Sequence, residues 1–290
     1  MKKLFCLLVL FVCVFVLGAC KNSETNDLGL VEKGKLIVVT SSDYAPYEFV
    51  DLTKTGQDKF VGSDIALAKF LANKLDLTLE IKAMDFNALL TALDSRKADL
   101  AIAGLSYTEE RAAYLFSSCY YGDGDGGQVV VALKENSSKY NSLEKLNVKE
   151  NKIAAQNGAL QVGLVQTQLP NASLIEITDL DNALTMLTNK TYDSIAIASN
   201  VAQAWMLTND DIEIVATFDY EDTGSYAVAA PNAKALITAI NPIIEGEVTK
   251  IVKDNKTLYE TWIDEANILF IALGDNASEA NPDDESGDLD

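Results

Sequence analysis

The sequence predicts an α/β fold in two lobes, and three observations carry that expectation. Apolar, β-prone runs alternate with segments of helical spacing, as in βαβ units with parallel strands. The alternation halts at a glycine-rich stretch, GDGDGG (122–127), and then restarts, which suits a crossover into a second lobe. Between an N-terminal tether and an acidic tail lie about 245 residues, enough for two lobes with their own cores.

The first strand is KLIVVT (35–40). Helical spacing follows at Ile65, Ala68, Leu71, Ala72 and Leu75, then a strand, LTLEIKAM (77–84). A second helix runs through Phe86, Leu89, Leu90 and Leu93, ahead of the strand DLAIAG (99–104). The chain then turns through Ser106 into a predicted helix capped by Thr108. Glu109 and Glu110 suit the positive end of that helix, whereas Arg111 opposes it. Arg111 is read in two ways: a planar fork gripping a ligand carboxylate, or a solvated arginine beside two glutamates.

The second lobe opens on the apolar strand QVVVAL (128–133). NKIAAQ (151–156), a helix from about Ala159, SLIEI (173–177), a helix from about Asp181 and YDSIAIAS (192–199) follow. IEIVATF (212–218) is expected to begin the return. GSYAVAA (224–230), with helices through Ile251 and Trp262, would complete the first lobe. The expected boundaries are 35–127 and 222–272 for lobe one, 128–221 for lobe two and 273–290 for a disordered tail.

The two ends carry different information. Lys2 and Lys3 precede an apolar run (4–17) too short to span a bilayer, and small residues follow it, as in a secretory signal. Leu17-Gly18-Ala19-Cys20 resembles the lipobox, which implies a signal over 1–19, lipid on Cys20 and a tether over 20–34. With Cys6 and Cys13 in the signal, Cys119 alone remains, so no intrachain disulfide is expected; it reads as a buried small residue. The chain has no histidine, which excludes histidine-ligated metal and histidine-based triads. The formal charge is −20, and losing Lys2 and Lys3 leaves 21 basic against 43 acidic residues. Such a balance argues against nucleic-acid binding. Part of it is local, with seven acids and no base from 275 to 290.

Several motifs together resemble the family 3 extracellular solute-binding proteins, the amino-acid receptors of ABC importers. DLAIAGLSYTEER (99–111) carries the family signature, SSDYAPYEF (41–49) and FVGSDIALAKFLANKL (60–75) match its opening, and FSSCYY (116–121) its F-S-x-P-Y-Y. The resemblance spans roughly residues 35 to 267. It implies the two-lobed type II periplasmic-binding-protein fold, a venus flytrap with two linking strands. It also implies a surface lipoprotein that acts as a monomer on the extracytoplasmic face, uses no cofactor, metal or catalytic residue, and serves an ABC permease.

Residue by residue, the resemblance makes Tyr44 and Phe86 the aromatic walls of a ligand site. Gly104 and Ser106 match an ammonium-binding carbonyl and hydroxyl, and Arg111 the carboxylate-binding arginine. Gly158, Ala159 and Leu160 stand at a helix N-terminus that offers backbone N–H groups, without the family's hydroxyls. Ala198 stands where the family has the aspartate that neutralises the ligand ammonium, and Ser41 stands at its other frequent acid position. Either the ligand lacks an ammonium, or Asp43, Glu48, Asp123 or Asp125 supplies the charge. The retained Gly104 and Ser106 favour the second outcome. Cyclohexadienyl dehydratases resemble this fold too, so an enzyme using a cleft carboxylate (Glu48 or Asp43) or a tyrosine as acid is the alternative, with a ligand sensor as a third class.

Overall fold

A computed structural model describes residues 28–122, 127–221 and 224–277. The expected signal, Cys20, Asp123, Asp125 and the acidic residues past 277 lie outside them. In lobe one, strand Lys35–Thr40 runs parallel to Thr78–Ala83 on one side and to Leu100–Ala101 on the other. Val228–Ala229 and Leu115–Phe116 complete a five-stranded sheet in antiparallel sense. The central position of Lys35–Thr40 explains its unbroken apolar run: both faces are covered, and Leu36, Val38 and Val39 are 0% exposed. Helix Ser63–Lys74 turns Ile65, Ala68, Leu71 and Ala72 inward, as their spacing predicts, and Leu75 caps it.

Lobe two holds Lys152–Gln156 parallel to Ser173–Ile177 and Ser194–Ala198. Strand Gln128–Leu133 lies antiparallel between Ser194–Ala198 and Ile212–Thr217. Residues 212–218 therefore do not begin the return: they form the edge of the second sheet. The return crossing is Gly224–Ser225, paired antiparallel with Tyr121–Gly122, the outward crossing. These are the two linking strands, and the first sits at the start of the glycine-rich stretch.

Four local expectations need correction. The helix read through Ile251 stops short: helix Lys234–Ile243 runs on only through the π turn Ile244–Val248, and Ile251–Lys253 is a short strand paired with Lys256–Thr257. The strand read over 99–104 is regular only at Leu100–Ala101, because Gly104 adopts φ 55° and turns its N–H out of the ladder towards Asp64. The helix expected after Thr108 is one 3-10 turn, Glu109–Arg111, and Thr108 makes no side-chain cap. A single turn carries little dipole, so the dipole does not decide what holds Arg111. Cys119 is exposed rather than buried, its thiol 3.1 Å from the Tyr121 carbonyl, in the segment leading to the first crossing.

Lobe one also keeps both ends of the described chain. Asp99 accepts hydrogen bonds from Val31 N (2.7 Å) and Ile37 N (2.8 Å), fastening the N-terminal segment to the sheet. Helix Leu258–Leu273 starts on a Thr257–Glu260 capping box. One further turn, Gly274–Asn276, brings Ala277 to a bridge with Asp51. Ala277 is buried, so the packed domain runs past the boundary expected at 272.

Candidate ligand site between the lobes

Arg111 lies at the bottom of the cleft and is 5% exposed. Its guanidinium donates to the Ser106 carbonyl at 2.8 Å in lobe one and to the Gly158 carbonyl at 3.0 Å in lobe two. It lies 5.6 Å from the centroid of the Phe86 ring, a cation–π distance. Among the described residues no carboxylate lies within ion-pair distance of it. Burial therefore pushes its pKa down. A cation enclosed with only carbonyl partners is poorly compensated, so the site is suited to an anion.

The surrounding cavity, about 30 Å³, is lined by residues from both lobes. Tyr44, Phe86, Gly104 and Ser106 reach it from lobe one, and Ala159, Leu160 and Ala198 from lobe two. Gly158 borders it through its bond to Arg111. Ala159 and Ala198 are the N-cap residues of helices Leu160–Gln168 and Ser199–Thr208, and neither helix has an acid in its first turn. The cleft thus receives two helix N-termini whose leading N–H groups have no intrahelical acceptor. Tyr47, Gln128, Gln156, Gln161 and Ser225 also line it, and sequence reasoning missed them. Gln156 ends a parallel strand, where α/β sheets place ligands, and was the most accessible to inference.

The two lobes touch through their own side chains. Asn200 of lobe two donates to the hydroxyls of Tyr47 (3.1 Å) and Tyr121 (2.7 Å). The Tyr220 hydroxyl donates to the Tyr107 carbonyl at 3.2 Å. A Cβ on Gly158 would stand 3.2 Å from Asn87 across the interface. This is a cleft closed down on a small volume.

The profile of the bacterial extracellular solute-binding proteins, family 3, matches residues 36–265. The chain is a family 3 solute-binding protein. It is 31% identical to the arginine-binding extracellular protein ArtP of Bacillus subtilis (strain 168), over 87% of this chain and 97% of that one. An amino-acid ABC transporter substrate-binding protein from Streptococcus pneumoniae Canada MDR_19A, solved with L-arginine, superposes with TM-score 0.72 at 31% identity. That match covers 81% of this chain and 95% of the pneumococcal one. The ancestral amino-acid-binding protein AncCDT-1, a precursor of cyclohexadienyl dehydratase, gives TM-score 0.68 at 27% identity, over 79% of this chain and 96% of that one. These likenesses place the solute-binding protein in the two-lobed class and outside the cytoplasm.

Two expected ligand contacts are elsewhere. Glu48 does not line the cavity: it is fully buried beneath it, against the carboxylate of Asp64. Asp64 accepts from the Tyr120 hydroxyl (2.9 Å), the Gly104 N–H (2.7 Å) and the Tyr259 hydroxyl. Two carboxylates in one dry pocket do not both ionise. Burial and the charge of Asp64 push the Glu48 carboxyl well up, so it is the one that holds the proton. The pair thereby fixes the backbone at Gly104 from below, a supporting role that the local sequence does not reveal.

Asp43 is the second. It sits at the interface beside the cavity, accepting from Gln156 Nε2 at 3.2 Å and from Leu180 N at 3.0 Å, both in lobe two. Burial between the lobes, with Asp179 nearby, pushes its pKa up to about 6. Opening the cleft returns Asp43 to water and to an ordinary value near 4. The closed form therefore binds a proton more tightly, and closure is favoured as pH falls from above 6 towards 4. Ligand affinity is expected to rise about tenfold between pH 7 and pH 5 from this group alone. Titrations of wild type and Asp43→Asn across that range check it: the variant should show a flat profile, and a flat wild-type profile would refute it.

Proposed function

We propose that this solute-binding protein captures a small carboxylate, an amino acid or close relative, and hands it to an ABC permease from a lipid anchor on Cys20. The buried guanidinium of Arg111 in the interlobe cavity, with no carboxylate paired to it among the described residues, carries this reading. Tyr44 and Phe86 flank the cavity that Arg111 enters, in keeping with a ligand that has an apolar or flat body. A cavity of about 30 Å³ admits little more than water, so capture requires the lobes to part on the linking strands Tyr121–Gly122 and Gly224–Ser225 and close again.

The test joins two measurements. A thermal-shift screen over small carboxylates should find a compound that raises the melting temperature, since it binds only the folded chain. Small-angle scattering should then give a smaller radius of gyration with that compound than with an open, ligand-free form. An unchanged radius at saturation, from an open start, would remove the hinge from the reading. For the dehydratase alternative, Asp43 and Glu48 do not line the cavity, and Tyr44 and Tyr47 are the acids left to it there. Recovery of the bound compound chemically unchanged separates capture from turnover, and neighbouring genes for a permease and an ATPase separate transport from sensing.

A further inference from the structure

A second cavity opens between the lobes and shares no lining residue with the first. Its volume is about 60 Å³, against about 30 Å³ in the ligand cleft, which leaves room for about four water-sized groups. Lobe one supplies Asp43, Phe49 and Phe270, the two rings meeting edge to face with centroids 5.5 Å apart. Lobe two supplies Asp181, Leu184 and Trp205, which is 5% exposed. The hydrogen bonds that Asp43 accepts come from the amides of Gln156 and Leu180, which satisfy its oxygens without cancelling their charge. Burial between the lobes therefore raises its pKa. Residues 123–126, 222–223 and 278–290, outside the described part, contain no lysine or arginine.

Rings and carboxylates on one small cavity suit an organic cation. The ring faces attract its charge and cover its body, while the acids neutralise it and accept its N–H groups. An anion would be repelled by both acids, and a neutral apolar molecule would strip them of water without offering a donor. Because the walls come from both lobes, the cavity is complete only when the lobes meet. We propose that it is a second binding site, for a small organic cation of the guanidinium or alkylammonium type, and that filling it holds the lobes closed over the first. One side chain joins the two sites: Gln156 lines the ligand cavity and donates to Asp43 at 3.2 Å. A cation beside Asp43 keeps that carboxylate ionised, and so the stronger acceptor for Gln156. Ligand and cation then favour each other by the same factor. The site itself is independent of the capture reading; its effect on affinity rests on that reading.

Guanidinium chloride at millimolar concentration is the probe, on the full mature chain. It should raise the melting temperature and saturate, against its ordinary destabilising action. Urea, its neutral isostere, and potassium chloride at equal ionic strength should not. Asp43→Asn and Asp181→Asn should each weaken the response about tenfold, the scale of one hydrogen bond to a charged group. Leu184→Phe should abolish it by filling the space, with melting curves to show that each variant folds. At about ten times its own dissociation constant, guanidinium should tighten the compound found by the carboxylate screen about tenfold. No saturable rise, an equal rise with urea, or a full response in both aspartate variants would overturn the site, whatever the carboxylate screen finds. A saturable rise that leaves the screened compound's affinity unchanged would overturn its coupling to the cleft. The capture reading falls only if no carboxylate binds.

Discussion

Arg111→Ala is expected to cost the solute-binding protein about 2–5 kcal/mol of ligand binding, the usual loss when one partner of a buried charge pair is truncated. At the upper end that is more than a thousandfold in affinity. The guanidinium is enclosed, bridges carbonyls of both lobes and is the only full positive charge lining the cavity among the described residues. A ligand carboxylate would compensate it where it is 5% exposed. Arg111→Lys should recover only part of the loss, because one ammonium cannot hold Ser106, Gly158 and a carboxylate in the same plane. Both variants are titrated with the compound found by thermal shift, alongside melting curves to show that they fold. Affinities within threefold of wild type for Arg111→Ala would dismiss it as the anchor.

Gly62→Ala should be among the most damaging single-methyl substitutions in the chain. Gly62 precedes helix Ser63–Lys74 at φ 122°, and a Cβ there would stand 2.2 Å from the Tyr47 carbonyl oxygen. The obstruction is backbone, so no side chain can swing aside. Strain at such a φ costs about 1–3 kcal/mol, and the clash about as much again. The melting temperature should fall by roughly 6–15 °C for a domain of this size. Because Tyr47 lines the cavity and bonds Asn200 across the interface, ligand affinity should fall with it. A melting temperature within 2 °C of wild type, roughly the resolution of about 1 kcal/mol at this size, would show the contact to be relaxed.

Much of this was legible because the deciding patterns are local. The run KLIVVT is unbroken because its strand is covered on both faces, and the spacing in Ser63–Lys74 reports its buried side directly. Tyr44, Phe86, Gly104, Ser106, Arg111, Ala159, Leu160 and Ala198 meet at one cavity because each lies at or beyond the carboxyl end of a parallel strand, as the motif order implied. What escaped depends on pairing between distant segments. Gln128 lines the cavity because its antiparallel register sets it opposite Ala198, seventy residues on in sequence. Glu48 and Asp64 look like free loop and helix acids until Tyr120 and Tyr259, from two other segments, close over them. The same long-range packing turned residues 212–217 into a sheet edge rather than a crossing. The short turn at Glu109–Arg111 failed as a helix for a simpler reason. The chain must re-enter the sheet at Leu115–Phe116, which leaves no length for a second turn.

The described chain enters and leaves through the same lobe, with Val31 held by Asp99 and Ala277 bridged to Asp51. Topologically, lobe two is an insertion strung on two cords that run side by side in opposite directions, and it has no loose end of its own. Any lever attached near residue 30 or residue 277 moves with the first lobe alone. A fluorophore pair placed at those two positions would stay silent while the cleft shuts. Setting one dye instead on the exposed turn at Asn189–Lys190, in the inserted half, turns the same molecule into an optical gauge of capture.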